Sequence, residues 1–434
     1  MFYSCFVSTT NLRAVSFKNY IFTHKSRISV KVLHINKSDH VGGAAVAAVR
    51  LLDALHQHGT DVRMLVLEGF GDHARVELLG RSGIYRQMMF LGEVFSFVPF
   101  EKNRQNRFSF SRSRFGFDIS RHPLVREADV IHLHWINQGF LSLKGLRKLI
   151  DLGKPVVWTL HDTWPFTGGC HYPGTCGGFT STCGQCPMLK SPAPDDLSAR
   201  QHETKEKIYK DAAITFVGCS RWMQKMAAGS SLVRKDLKHE VEQIFNPVDT
   251  RLFRPVDKMK LRQSLGLPEG KNLLLFGAAN VADPRKGIGL LLRALNYIAQ
   301  KEPELKEKLE LMVFGKNIEV LGGQLPFKLH SYDVVTSEVE MAGLYQAADL
   351  FVLPSMQDNL PNTVVESMAC GTPVVAFQIG GVPEMVNHMK SGFLSAPGKS
   401  KELALGILSV LENHAELGRN ARIFAEENFD PEVI

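Results

Sequence analysis

From residue 29 the chain reads as a buried strand, a glycine loop, an amphipathic helix and a second strand, and a similar alternation begins again near residue 272. SVKVLHIN (29–36) is short, apolar and β-branched, which predicts a strand covered on both faces. Gly42-Gly43 follows, then AAVAAVRLLDALHQHG with apolar residues at helical spacing and Gly59 as a stop. Asp61–Leu67 is the next strand. Parallel strands need such crossovers, so the chain is predicted to be α/β with parallel sheets.

The rhythm continues through ADVIHLHW (128–135), PVVWTL (155–160) and AITFVGCS (213–220). Two prolines interrupt it between Asn246 and Pro255. It resumes with NLLLFGAAN (272–280), LELMVFG (309–315), KLHSYDVV (328–335), ADLFVLPS (348–355) and TPVVAF (372–377), with helices over 286–300, 338–347 and 361–370. This divides the chain into an irregular extension (1–28), a Rossmann-like unit (29–248) with a cysteine-rich insert at 168–190, and a second Rossmann-like unit (249–434). Ligands of such sheets bind beyond the carboxyl ends of the strands. Gly42, Gly43, His161, Lys286 and Asp358 all fall at such ends, which predicts a cleft between two domains.

Charge narrows the function. Of the net +7, residues 1–38 supply six basic residues and no acid. The body is nearly neutral, so composition makes no case for nucleic acid. The acid-free leader resembles a transit peptide, although an irregular extension is the plainer reading. No uncharged apolar run is long enough to span a membrane. Residues 85–117 are rich in Phe and Arg, including FVPFEKNRQNRFSFSRSRFGF. That segment suits either an anionic membrane surface or a solvated loop whose aromatics fold back.

The most informative stretch is SMQDNLPNTVVESMACGTPVVA (355–376). Pro361 suits a first helical turn, which leaves the N–H groups near Asn362 and Thr363 free to face an anion. Glu366 lies about one and a half turns in. On spacing alone, a helix-start acid and a solvated glutamate explain Asp358 and Glu366 as well as a site does. Gly42-Gly43 permits close backbone approach to a phosphate or sugar, although a strand-to-helix turn needs glycine anyway.

Asp358-x7-Glu366, with MACGTPVVAF and Gly380-Gly381-Val-Pro-Glu384 behind it, resembles the E-x7-E signature of retaining GT-B glycosyltransferases of family 4. The first acid is Asp rather than Glu. FTGGCHYPGTCGGFTSTCGQCP is similar to the members that build bacterial exopolysaccharides, of the colanic-acid type. The resemblance implies a GT-B fold and a metal-independent transferase with a nucleotide-sugar donor. Its acceptor would be a glycan or lipid-linked saccharide at the inner face of the cell membrane. It implies that Glu366 holds the nucleotide ribose, Asp358 the donor sugar, and Lys286 the phosphates. His161 would lie near the reacting carbon, and Gly42 and Gly43 near the pyrophosphate. Many members carry an arginine after Gly277; here Ala278 and Ala279 follow, and Arg285 or Asn280 is the expected substitute. Members usually continue beyond the sequence ending at Ile434 through a helix that crosses back to the first domain.

No catalytic cofactor is expected. Cys170, Cys176, Cys183 and Cys186 form C-x5-C-x6-C-x2-C, of which only the last pair has zinc-knuckle spacing. Structural zinc, two disulfides and buried thiols remain open. Trp158 and Trp164 suit sugar stacking or core packing equally. Two rival readings of the whole chain stand: another sugar-nucleotide enzyme (a phosphorylase or epimerase), or a non-catalytic binding module.

Overall fold

A computed structural model describes residues 30–70, 72–233 and 238–434. The extension 1–28 lies outside the described residues. Thirteen strands form two sheets among these residues. The first holds β1 (Lys31–Ser38), β2 (Asp61–Glu68), β3 (Val76–Leu78), β4 (Val130–Leu133), β5 (Val156–Leu160), β6 (Ile214–Gly218) and β7 (Glu240–Gln243). Its order is β3-β2-β1-β4-β5-β6-β7, with every pairing parallel.

The second holds β8 (Asn272–Asn280), β9 (Leu309–Lys316), β10 (Lys328–Tyr332), β11 (Leu350–Leu353), β12 (Val374–Phe377) and β13 (Gly392–Ser395). Its order, β10-β9-β8-β11-β12-β13, repeats the same winding and is again parallel. This is the expected pair of Rossmann-like domains. In each, the winding reverses beside the first strand, between β1 and β4 and between β8 and β11. A crevice opens at such a reversal.

Both sheets are covered on both faces, which is why their strands read as continuous apolar runs. β11 and β12 are buried at every position, and β9 at all but Lys316. In the first domain, Leu33, Ile35, Leu65 and Leu133 face one core while Val62, Met64 and Val66 face the other. Each such side chain taken from water contributes about 1.5–3 kcal/mol. Trp158 and Trp164 are fully buried, so they pack the core and are not open to stack on sugar.

The helix Gly43–Gln57 ends as predicted, with Gly59 at φ 82° donating its N–H to His56. The helix Asn362–Ala369 starts one residue later than expected; Pro361 is its N-cap. Elements not read from the sequence include β3, β13, the helices Gly83–Phe97, Leu197–Tyr209 and Lys258–Ser264, and the kinked helix Ser400–Phe429, whose non-helical residue is Asn413. The last residue of that helix returns to the inter-domain segment, where the Phe429 carbonyl accepts from the Val248 N–H at 2.8 Å.

Residues 85–117 fold back in part, as one of the two expected readings has it. Phe97 and Phe110 stack at 4.8 Å in a small core with Leu189 and Leu197. The helix Gly83–Phe97 turns Ile84, Tyr85, Met88, Leu91 and Phe95 outward. Buried Glu93 fixes its other face by accepting from the N–H groups of Ser113, Arg114 and Phe115. Burial raises the pKa of Glu93 despite those bonds. No helix among the described residues is long and apolar enough to cross a membrane.

Candidate active site in the inter-domain cleft

The carboxyl ends of the two sheets face one another, and the predicted residues meet there. β1 runs into Gly42, whose φ of 88° is left-handed and suits glycine. The helix that follows lies opposite Asn362–Ala369, and the Asn362 side-chain amide donates to the Gly43 carbonyl at 3.1 Å. Thr363 sits beside Asn362 in that helix's first turn. The first N–H groups of a helix have no partner within it and attract anions.

Glu366 is buried within the same helix. Its Oε1 pairs with Arg50 of the first domain at 2.8 Å, and its Oε2 accepts from the Tyr345 hydroxyl at 3.0 Å. Arg50 also donates to Glu338, at 2.9 and 2.6 Å, and lies over the Phe253 ring. Burial opposes the charge of Arg50, but Glu366 and Glu338 outweigh it and raise its pKa. Each carboxylate oxygen has two acceptor positions, so Glu366 keeps capacity for a diol.

Lys286 and Asp358 also meet, at 2.6 Å. Lys286 ends a short 3-10 turn capped by Asp283, and Gly287 follows at φ 74°. A Cβ at Gly287 would lie 1.8 Å from the Pro354 carbonyl oxygen, so this loop packs tightly on the end of β11. Arg285 pairs with Asp283 and lies 5.3 Å from the Tyr172 ring centre. Asn280 bonds to Asn317 instead of pointing toward Lys286.

His161 follows β5. Its Nε2 lies 3.1 Å from Nδ1 of His134, and His134 packs with His132 and His34. Burial holds His34 and His161 at about 4, and His132 and His134 well below 6.5, so the group is uncharged near neutral pH. Nδ1 of His161 has no protein partner among the described residues. Neighbouring Asp162 accepts from Trp135 at 2.7 Å and the Trp164 N–H at 2.8 Å, and pairs with His171 at 2.7 Å. His132 also bonds to the Thr159 hydroxyl at 2.8 Å. His34, His132 and His134 also place three ring nitrogens within 4.8 Å of one another.

Several contacts carried no recognisable sequence signal. Asn359 donates to the carbonyls of Leu160 and His161 and accepts from the Ser220 hydroxyl, seating the Asp358 loop on the first domain. Glu384 caps the helix Arg221–Ala228 through two N–H bonds of 2.7 Å. A cavity of about 700 Å³ opens beyond β9 and β10, lined by Lys316, Asn317, Ser331, Asp333 and Val334. Arg50 and Tyr345 read as ordinary helical positions, because their partner is 316 or 21 residues away in sequence and only the fold brings it near.

Comparison with known proteins agrees with this arrangement. Residues 41–252 match the family described as Glycosyltransferase Family 4, and residues 270–413 match Glycosyl transferases group 1. The two halves of the chain are thus each similar to a glycosyltransferase domain. Its fold is GT-B. Anabaena Alr3699/HepE, solved in complex with UDP-glucose, has a TM-score of 0.60 at 20% identity, over 93% of this chain and 96% of that one. Sucrose-phosphate synthase from Thermosynechococcus elongatus has a TM-score of 0.62 at 19% identity, over 93% and 96%. Among curated proteins, D-inositol 3-phosphate glycosyltransferase 2 of Catenulispora acidiphila is 36% identical over 192 residues, 41% of this chain and 44% of that protein. The Thermobispora bispora D-inositol 3-phosphate glycosyltransferase is 33% identical over 182 residues, 39% and 42%. The matched stretch thus spans less than half of these curated relatives.

Proposed function

We propose that the chain is a retaining glycosyltransferase that uses a nucleotide-diphosphate sugar. The observation that carries this is the meeting of Glu366, Lys286–Asp358, His161 and the Gly42–Gly43 turn in one cleft. Glu366 takes the ribose diol through its remaining acceptor positions. Lys286 and the N–H groups at Asn362 and Thr363 meet the diphosphate, so the leaving group's charge is balanced without a divalent ion. The cavity beside Asn317 receives the base.

Transfer proceeds on one face of the sugar. The bond from the anomeric carbon to the diphosphate breaks as the acceptor oxygen bonds to that carbon. The acceptor's proton passes to the leaving phosphate oxygen. Neutral His161 hydrogen-bonds the donor sugar through Nδ1, and Asp358 accepts from a sugar hydroxyl. The protein's contribution is alignment and fixed charge.

The acceptor proposed is a growing, lipid-linked glycan of a surface polysaccharide. The exposed apolar stripe on Gly83–Phe97, with exposed Lys102, Arg104 and Arg114 nearby, supports docking at the cytoplasmic membrane face. A second reading follows from the relatives' name: a phosphorylated inositol as acceptor. The test is product analysis with UDP-glucose and either lipid-linked saccharide or inositol phosphate, in chelator. An α-linked product supports retention, and the acceptor consumed separates the two readings. Donor hydrolysis or phosphorolysis alone would refute transfer.

A further inference from the structure

The cysteines of the 168–190 insert take no part in the proposed transfer, yet the fold gathers them. Cys170, Cys176, Cys183 and Cys186 line one cavity of about 20 Å³, large enough for a single small ion or water. None is in a disulfide. The Gly168 N–H points to Sγ of Cys183 at 3.3 Å, and that of Gly178 to Sγ of Cys176 at 3.5 Å. Both sulfurs thus accept from the backbone of the insert itself.

The Cys183–Cys186 turn is left-handed at three successive residues: Cys183 (58°), Gly184 (95°) and Gln185 (48°). Two of these are not glycine, and such conformations are strained for a residue with a Cβ. The turn is clamped by the Asp196 carboxylate on the Cys186 N–H at 2.8 Å and the Ser198 hydroxyl on the Gly184 N–H at 3.0 Å. It turns both sulfurs of its C-x2-C toward the cavity.

A second observation concerns charge. Lys205 is fully buried, and its ammonium donates to the carbonyls of Trp164 and Thr167. It has no carboxylate within 4.0 Å among the described residues, although Cys170, Cys183 and Asp162 are all close enough to act on its charge. Four thiolates around one divalent ion carry a net double negative charge, and the buried Lys205 side chain lies close to two of those sulfurs.

We propose that Cys170, Cys176, Cys183 and Cys186 bind one structural zinc ion. Four S–H bonds break, four protons leave to solvent, and four Zn–S bonds form; no electrons are transferred. The histidine trio is the one group among the described residues whose ligand atoms already lie within 4.8 Å. Holding the ion requires the four cysteine side chains to draw together from the positions they take here. Zinc then fixes the insert that holds His171 on Asp162 and Tyr172 over Arg285.

The experiment is metal analysis of the full chain purified without chelator, then cobalt replacement. The expected result is about one zinc per chain, released when the thiols are blocked by a mercurial, and a tetrahedral cobalt spectrum with sulfur-to-metal charge transfer. Cys176→Ser should weaken that charge-transfer band, while Cys370→Ser should leave metal content unchanged. Reduced thiols without stoichiometric metal, mapped disulfides within the cluster, or an iron–sulfur chromophore would each overturn the proposal. The parent's own metal content decides the matter if a variant fails to fold.

Discussion

Glu366 is held on one side by Arg50 and on the other by Tyr345, so its position is set before any donor arrives. Removing Arg50 would leave a buried carboxylate unpaired beside Glu338. We expect Arg50→Ala to destabilise the chain by about 3–5 kcal/mol in urea unfolding; an unchanged midpoint would refute the pairing. The histidines give a second expectation. His34 and His161 bind protons less readily folded than unfolded, with pKa about 4 against 6.5. Between those values the unfolded chain binds more protons, so stability rises with pH. It is full above 6.5 and lost as pH falls toward 4, at about 1.4 kcal/mol per unit per histidine. Thermal midpoints measured across that window should fall steeply in the parent and less steeply in His34→Leu; equal slopes would show that His34 does not carry the effect.

At the scale of elements, the helix Gly83–Phe97 has one face pinned by Glu93 and the other bare. Ile84, Met88, Leu91 and Phe95 recur at helical spacing on the bare face. Flotation with anionic vesicles at low salt should carry the parent upward, and Ile84→Glu with Phe95→Glu should leave the protein at the bottom. Equal flotation would remove the membrane from the account. The sequence showed the Phe/Arg composition here but not its division, because whether Phe97 or Phe95 faces inward depends on Phe110, Leu189 and Leu197. Strands with continuous apolar runs, such as β9 and β11, were legible because a parallel sheet buries both faces. β3 and β13 were missed because VEL and GFLS lack the continuous apolar run that marks β11. The loop ends were legible where glycine or proline marked them. Arg50, Tyr345 and Asn359 were not, nor was the capping contact of Glu384, since these roles exist only once two distant segments meet.

The whole molecule is two similarly wound sheets whose carboxyl edges converge on one cleft. That convergence explains why residues spread from Gly42 to Glu366 come together in one cleft, and the joint between the sheets is tied by Val248 to Phe429. The central claim is that this cleft binds a nucleotide-sugar with Glu366 on the ribose. Titration calorimetry with a panel that includes UDP-glucose, on the parent and Glu366→Ala, tests it most directly. We expect one donor to bind the parent, and the folded variant to bind it roughly 10–100-fold more weakly, as the loss of hydrogen bonds to a charged group implies. Equal binding by both proteins, or no donor bound by a folded parent, would contradict the account.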